Sequence, residues 1–479
     1  MKLDRMVLGL LLVGWGILAL LMPAHSDTFW HLRAGADIWR TLHVPQIDGY
    51  SHTVAGQPWP DHEGLSQAGM YLCYRLGGMP GLELGAALLV SVAVLLGYRL
   101  MVGPLPTRLA LMAVPLTVSS LLWVLRPQIV SLSLLMVLVW LLARERHRWI
   151  PLLFLIWANA HAGVVLGGMV LAVATGCAAL RFLATRQAAD RRRLLTLAVV
   201  LPLAALAAAA TPLGFGIYRF VLESTARLRA EHILEWGPPW PTGPFEVTFW
   251  LLALGFLGLL IWRRRRLAAA GWADQIVVAA AAAVLALAFR SLRNIGPFLT
   301  VATPAASRLL GPDFRFRFHP RGETSSPAVS SPDHPSVNLA LLAGAAAAGL
   351  AIVALCWKGD AKRLQWHPIP IEAQRAVRGC PGRLYNHYYE GGYLIWFVPE
   401  QPVFIDNRQD PYPVSLLAAD MGIERGQPYR PTFERYGIRC AFLPASSKIV
   451  PRLRADGWEL RFLDQSWAVL AAPGAGSGG

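Results

Sequence analysis

The chain has 479 residues, of which 55% are hydrophobic and only 15% charged, with a mean hydropathy of +0.42. That composition excludes a soluble globular protein and marks a polytopic membrane protein. The formal charge of +15 comes without any aromatic and basic binding module. It therefore excludes nucleic acid as a partner and reads as membrane topology plus attraction to anionic lipid head groups.

A helix needs about 20 mostly apolar residues to cross a bilayer, and about eleven candidates satisfy or approach this. They lie near residues 5–22, 82–100, 108–125, 128–143, 149–161, 163–181, 194–210, 247–262, 272–289, 295–310 and 338–357. The fifth is short and ends in Asn159 and His161, and the tenth carries Pro297 and Pro304. Both are candidates for re-entrant or broken segments. Lys2 and Arg5 before the first span, with Ala24-His25-Ser26 after it, resemble a cleavable signal peptide, but retention as an anchor is the preferred reading. Alternate loops carry the basic residues: Arg99 and Arg108, Arg144 to Arg148, Arg186 to Arg193, Arg263 to Arg266, and Arg308 to Arg321. Those loops are expected in the cytoplasm, with the N-terminus inside. The last of them, 311–338, is rich in Pro, Ser and Arg and reads as a flexible connector.

The transmembrane domain is thus expected over 1–357, with a structured first outer loop at 25–81 that is too long for a simple turn. This loop holds Asp27, Trp30, His31, Asp48, Trp59, Asp61, His62 and Glu63. Helical spacing places Asp27 and His31 one turn apart on one face. A carboxylate and an imidazole there suit a general base and proton relay, with Asp61 and Glu63 approaching from the far end of the loop. They equally suit ligation of a divalent cation by Asp27, Asp61, His62 and Glu63. The plainer alternative is a helix cap at Asp27 among solvated neighbours.

Four later outer ends carry polar groups: Arg126-Pro127-Gln128, Asn159-Ala160-His161-Ala162-Gly163, Thr211 through Trp236, and Arg290-Ser291-Leu292-Arg293-Asn294. Charges this close to hydrocarbon usually face a cavity or a partner, although arginines at helix ends also snorkel to head groups. As a set, Arg126, Arg290 and Arg293 with His161 offer cations for a phosphorylated lipid, and Asn159 and Asn294 add hydrogen-bonding groups.

Beyond the tether Lys358-Gly359-Asp360, residues 358–479 read as a small extracytoplasmic α/β domain with a flexible Gly474 to Gly479 tail. Helices are expected at Ile369 to Val377, Pro431 to Tyr436 and Ser447 to Ala455. Strands are expected at Arg383 to Asn386, Pro402 to Asp406 and Cys440 to Leu443, with a terminal hairpin from Trp458 to Ala472. Asp406, Arg408 and Asp410 follow a strand end and read either as binding residues or as a salt-bridged turn. Gly391-Gly392 lacks the spacing of a nucleotide loop, so no nucleotide cofactor is drawn from it. Cys380 and Cys440 would pair in an oxidising compartment and otherwise remain two buried thiols.

Asp27-x-x-Trp30-His31, Asp48-Gly-Tyr-Ser51, Gly56-x-Pro-Trp59-x-Asp61-His62-Glu63, Arg126-Pro127-Gln128, Asn159-x-His161-x-Gly163, Arg293-Asn294, Gly391 to Trp396 and Phe404 to Arg408 together resemble a group of bacterial membrane proteins. That group is similar to the GT-C fold glycosyltransferases that use polyprenyl-phosphate-linked sugars. The resemblance implies a catalytic acid early in the first outer loop, a polyprenyl-phosphate sugar as donor, and a bacterial inner-membrane location. Asp27 would then be the base in an inverting transfer, while Arg126, Arg290 or Arg293 stabilises the departing phosphate and His161 binds phosphate or sugar. The family pattern often has a second acid beside the first. Here Ser26 and Thr28 flank Asp27, so that partner would be Asp48, Asp61 or Glu63, and a Mg or Mn ion is an open expectation. A lipid-linked substrate transporter and a non-enzymatic assembly protein are the alternatives.

Overall fold

A computed structural model describes residues 3–230, 234–315, 334–359 and 364–473. Along the chain run α1 (Leu3–Ala19), α2 (Ser26–Thr41), α3 (Gly64–Leu100), α4 (Leu105–Ser120), α5 (Gln128–Ala143), α6 (Ile150–Ala160), α7 (Val164–Thr185), α8 (Ala188–Ala208), α9 (Gly216–Ala230), α10 (Pro244–Ala269), α11 (Trp272–Ala288), α12 (Ile295–Leu310) and α13 (Pro335–Gly359). They are followed by α14 (Ile371–Arg378), β1 (Arg383–Asn386), α15 (Gly391–Phe397), α16 (Val414–Glu424), α17 (Arg430–Tyr436), β2 (Ile438–Pro444), α18 (Ile449–Ala455), β3 (Glu459–Leu463) and β4 (Trp467–Ala471). The chain divides into two compact units: residues 1–22, 83–123 and 127–359, and residues 23–82, 124–126 and 360–479.

The first unit is helical. Every one of the apolar segments expected to span falls on a helix, and among the described residues four helices are long and apolar enough to cross a membrane: Gly64–Leu100, Val164–Thr185, Pro244–Ala269 and Pro335–Lys358. Arg5–Ala19, Gln128–Ala143 and Trp272–Ala288 are shorter apolar helices. Small residues let the backbones approach, as such interfaces require: a Cβ on Gly349 would lie 2.4 Å from Ile17 between α13 and α1, and one on Gly167 would lie 2.6 Å from Trp157 between α7 and α6. The segment 295–310, expected to be re-entrant or broken, is a continuous helix. Thr300, Thr303 and Ser307 turn their hydroxyls onto the carbonyls of Gly296, Leu299 and Pro304 and so hold their polarity within α12. Most of the stretch 311–338 lies outside the described residues.

The second unit joins residues 23–82 to the C-terminal region. Its sheet has the order β1-β2-β4-β3, with β1 parallel to β2 and the other pairs antiparallel. Cys380, just before β1, forms a disulfide with Cys440 on β2, with Cα atoms 5.7 Å apart. Its core mixes the two stretches of chain: Trp30, Ala34 and Trp59 are buried with Leu394, Val403 and Phe442.

Residues 402–406, expected as a strand, are not one. They make an isolated bridge in which Val403 lies parallel to Ser51; His52 N–H donates to the Val403 carbonyl at 3.0 Å, Val403 N–H donates to Tyr50 at 3.0 Å, and Thr53 Oγ1 donates to Phe404 at 2.6 Å. The backbone bonds that a sheet neighbour would supply come from residues 50–53. In α3 the path breaks at Gly77 and Gly78, the latter at φ +61, which no side-chain-bearing residue adopts cheaply.

Candidate functional site

Asp27 occupies the first turn of α2, where unpaired amides favour a carboxylate. The turn is closed by a capping arrangement in which His25 N–H donates to Thr28 Oγ1 at 3.0 Å. Thr28 Oγ1 in turn donates to the Leu125 carbonyl at 2.8 Å, and Leu125 N–H reaches the Pro23 carbonyl at 3.4 Å. These bonds bring Arg126 to Asp27: Nη2 lies 2.5 Å from Oδ2, while Trp30 Nε1 donates to Oδ1 at 3.2 Å. Asp27 is buried, and the Arg126 side chain keeps 24% of its surface exposed. The centre is thus an oriented carboxylate with a partly open cation beside it, the pairing an acid/base step on a phosphorylated substrate needs.

The C-terminal stretch closes around this turn. A Cβ on Gly392 would lie 2.3 Å from the Ser26 carbonyl, and one on Gly391 would lie 2.1 Å from that of Ile405. The glycine pair is therefore a close-packing device, not a phosphate loop. It lets Phe29 of α2 pack on Tyr393 and Phe397 of α15, with ring centroids 5.4 and 5.1 Å apart. Ser26 Oγ donates to Asn407 Oδ1 at 3.4 Å. Burial, then the nearby Glu390 and Asp27 carboxylates, push the Tyr393 phenol up to about 12.

His31 is buried one turn after Asp27, with its ring centroid 3.5 Å from that of Trp30 and its Nε2 3.6 Å from Glu63 Oε2. Glu63 Oε1 also lies 3.8 Å from His62 Nε2. Asp61 accepts from Gln67 Nε2 at 2.9 Å and from Glu63 N–H at 3.2 Å, and burial raises its carboxyl to about 7. Among the described residues no three His, Cys, Asp or Glu side chains gather as a cation site.

Asp48 is engaged elsewhere. It accepts from Ser51 Oγ at 2.7 Å and from Arg408 Nη2 at 2.6 Å. Arg408 is wholly enclosed. It also bonds Asp406 through Nε at 2.8 Å and Nη2 at 2.7 Å, and its guanidinium lies 4.6 Å from the Trp59 ring centroid and 4.9 Å from that of Tyr50. Of the two readings of Asp406 and Arg408, the salt-bridged turn is the one the structure bears out.

Asn159, His161, Arg290, Arg293 and Asn294 belong to the first unit. His161 Nδ1 accepts the Gly163 N–H at 2.9 Å and lies 2.8 Å from Ser131 Oγ, which itself accepts from Trp157 Nε1 at 2.7 Å. In the neutral ring this leaves Nε2 to carry the hydrogen and act as donor. Gly163 is needed here, because a Cβ would lie 2.3 Å from Ser131 Oγ. Arg293 lies 3.5 Å from Glu235 and over the Trp236 ring at 4.6 Å, and Arg290 is exposed. Asn159 donates to the Leu155 and Ala210 carbonyls, both at 2.9 Å, and Asn294 to Leu287 at 3.4 Å. Those two amides bond to backbone carbonyls.

No protein-family model matches the sequence, and no curated protein matches it. Solved structures do. Along 97% of both chains it superposes on ArnT from Cupriavidus metallidurans in the apo state, at a TM-score of 0.51 and 13% identity. The archaeal oligosaccharyltransferase AglB from Archaeoglobus fulgidus, in complex with an inhibitory peptide and a dolichol-phosphate, matches at 0.52 and 11% identity over 91% of this chain and 69% of its own. The chain has the GT-C fold. Two groups of the second unit escaped the sequence reading. One is Tyr388, and the other is a cluster at the end of β1: His387 Nδ1 lies 2.8 Å from Asp420 Oδ2, and Tyr385 donates to Asp420 Oδ1 at 2.9 Å. Burial opposes the imidazolium, but Asp420 outweighs it and holds His387 up at about 9. Glu390 nearby is raised to about 8 by burial. No spacing in the sequence signals this group.

Proposed function

We propose that this chain is a membrane glycosyltransferase that moves a sugar from a polyprenyl-phosphate donor to an acceptor on the outer face of the bacterial inner membrane. The observation that carries the reading is the Asp27 carboxylate, held by Trp30 and Arg126 at the first turn of α2, in a chain with the GT-C fold. Asp27 takes the acceptor hydroxyl proton as the acceptor oxygen attacks the anomeric carbon. The bond from that carbon to the phosphate oxygen breaks with inversion, and the electron pair leaves on the phosphate. Arg126, paired with Asp27, meets that charge. No step is routed through a cation.

Two observations support an outer location for the second unit. The Cys380–Cys440 disulfide belongs to an oxidising compartment, and the basic loops mark the opposite side. AglB, of the same fold, is in complex with a dolichol-phosphate, which supports a lipid phosphate as the carrier.

The test is binding of undecaprenyl phosphate to the purified protein, followed by tryptophan fluorescence. Removing one charge-assisted bond in Arg126→Ala should weaken binding roughly 10- to 100-fold. Wild-type affinity in that variant would remove the anion site from the proposal.

A further inference from the structure

The turn from Asp406 to Asp410 has two kinds of residue. Asp406 and Arg408 are fully buried and direct their hydrogen bonds to each other, to Asp48 and to Tyr412. Asn407 and Gln409 are only half-buried; Asn407 reaches Ser26 at the first turn of α2, and Gln409 reaches Tyr388. Asn407 Oδ1 accepts from Ser26, the residue before Asp27, and its carbonyl accepts from the Tyr388 hydroxyl at 3.5 Å. Gln409 hydrogen-bonds Tyr388, whose phenol also feels the charge of Asp27.

Gln409 is held at φ +65, in the left-handed region that residues with a Cβ rarely enter. Such a conformation persists only where the surroundings impose it, and it clusters at functional positions. Here the imposing element is on the next residue back, the Arg408 clamp.

We propose that Asn407 and Gln409 form a polyol-recognition edge beside Asp27, reading the hydroxyls of a sugar. An amide carries two donors and an acceptor, so two amides on one turn, carried by residues that both bond Tyr388, match hydroxyl groups that must both give and accept a hydrogen bond. A bare phosphate needs only donors, which the arginines supply. The polyol is either the sugar of the donor lipid or a hydroxyl-bearing acceptor, and the inference rests on the glycosyl-transfer reading above.

The experiment uses the full chain in detergent, incubated with undecaprenyl phosphate or with a polyprenyl-phosphate-sugar extract of bacterial membranes. Retained lipid is read by native mass spectrometry, and the acceptor KM is read in a transfer assay with the same extract. The variants are Asn407→Ala and Gln409→Gly. Glycine accepts a positive φ without strain, so Gln409→Gly should melt at or above the wild-type temperature while losing the side chain. A purely structural role would not give that combination. If the edge reads the donor, both variants keep undecaprenyl phosphate and lose the sugar-bearing lipid about tenfold or more. If it reads the acceptor, lipid retention is unchanged and the acceptor KM rises by a similar factor. Wild-type retention and wild-type KM in both folded variants overturn the inference and leave the transferase reading standing. A wild type that retains neither lipid and transfers no sugar overturns that reading, and the inference with it.

Discussion

Replacing Arg408 with Met should destabilise the second unit more than any surface change. Arg408, Asp48 and Asp406 have no exposed side-chain surface, and the guanidinium meets the two carboxylates at 2.6, 2.7 and 2.8 Å. Methionine fills similar volume but strands two buried carboxylates, and breaking a buried pair in this way costs about 3–5 kcal/mol. In a unit of this size that corresponds to a drop in Tm on the order of 10 °C. Trp59 lies 4.6 Å from the guanidinium, so tryptophan fluorescence of the detergent-purified chain during heating reports the unfolding directly. The triple variant Asp48→Asn, Asp406→Asn, Arg408→Met removes all three charges together and should recover much of the loss. An Arg408→Met protein melting within about 1 °C of wild type would refute the view that this ion cluster ties residues 48–53 to residues 403–412.

Three other predictions follow from the same unit. Reducing the Cys380–Cys440 bond, or replacing both with Ser, opens a loop with a sequence separation of 60 and should cost roughly 4 kcal/mol, seen as a lower Tm in dithiothreitol for wild type and no dithiothreitol effect in the double variant. Stability should fall as pH rises from about 5 to 9. Burial lifts Asp61 to about 7 and Glu390 to about 8, so the folded state holds protons there that the unfolded chain has released. The His387–Asp420 contribution, present at low pH, is lost as pH passes about 9. Melting curves across that range check this, with Asp61→Asn and Glu390→Gln flattening the slope; a wild-type Tm that is level or rising with pH contradicts it. Gly392→Ala places a methyl 2.3 Å from the Ser26 carbonyl, and overpacking of this kind costs about 1–3 kcal/mol. It should reduce sugar transfer along with Tm.

Much of the helical unit was legible because hydropathy acts locally: an apolar run of membrane length forms a helix whatever its neighbours do. Asp27 and Arg126 were legible as polar residues at helix ends, though nothing in the sequence paired them, since that pairing runs through Thr28 and the Leu125 carbonyl. The C-terminal strands and α14, α17 and α18 followed from periodicity. Three elements did not; one, α16 (Val414–Glu424), was not anticipated at all. The helix α15 begins with two glycines, poor helix formers, and is held by packing of Tyr393 and Phe397 on Phe29. Residues 402–406 read as a strand from their apolar run, but their partner is the segment around Ser51, a pairing that no local pattern encodes. Arg408 stayed open between a binding residue and a salt-bridged turn for the same reason. Its carboxylate partner Asp48 lies 360 residues away, and only tertiary structure turns the motif inward and sets Asn407 against Ser26.

The most direct measurement is transfer of labelled sugar from a polyprenyl-phosphate donor pool to acceptors in membrane extract, comparing wild type with a folded Asp27→Asn variant. Asparagine keeps the shape and the Trp30 bond but cannot take up the acceptor proton. The account predicts transfer by wild type and a loss of about 100-fold or more in the variant, the scale of a missing general base. Wild-type rates in Asp27→Asn would contradict it.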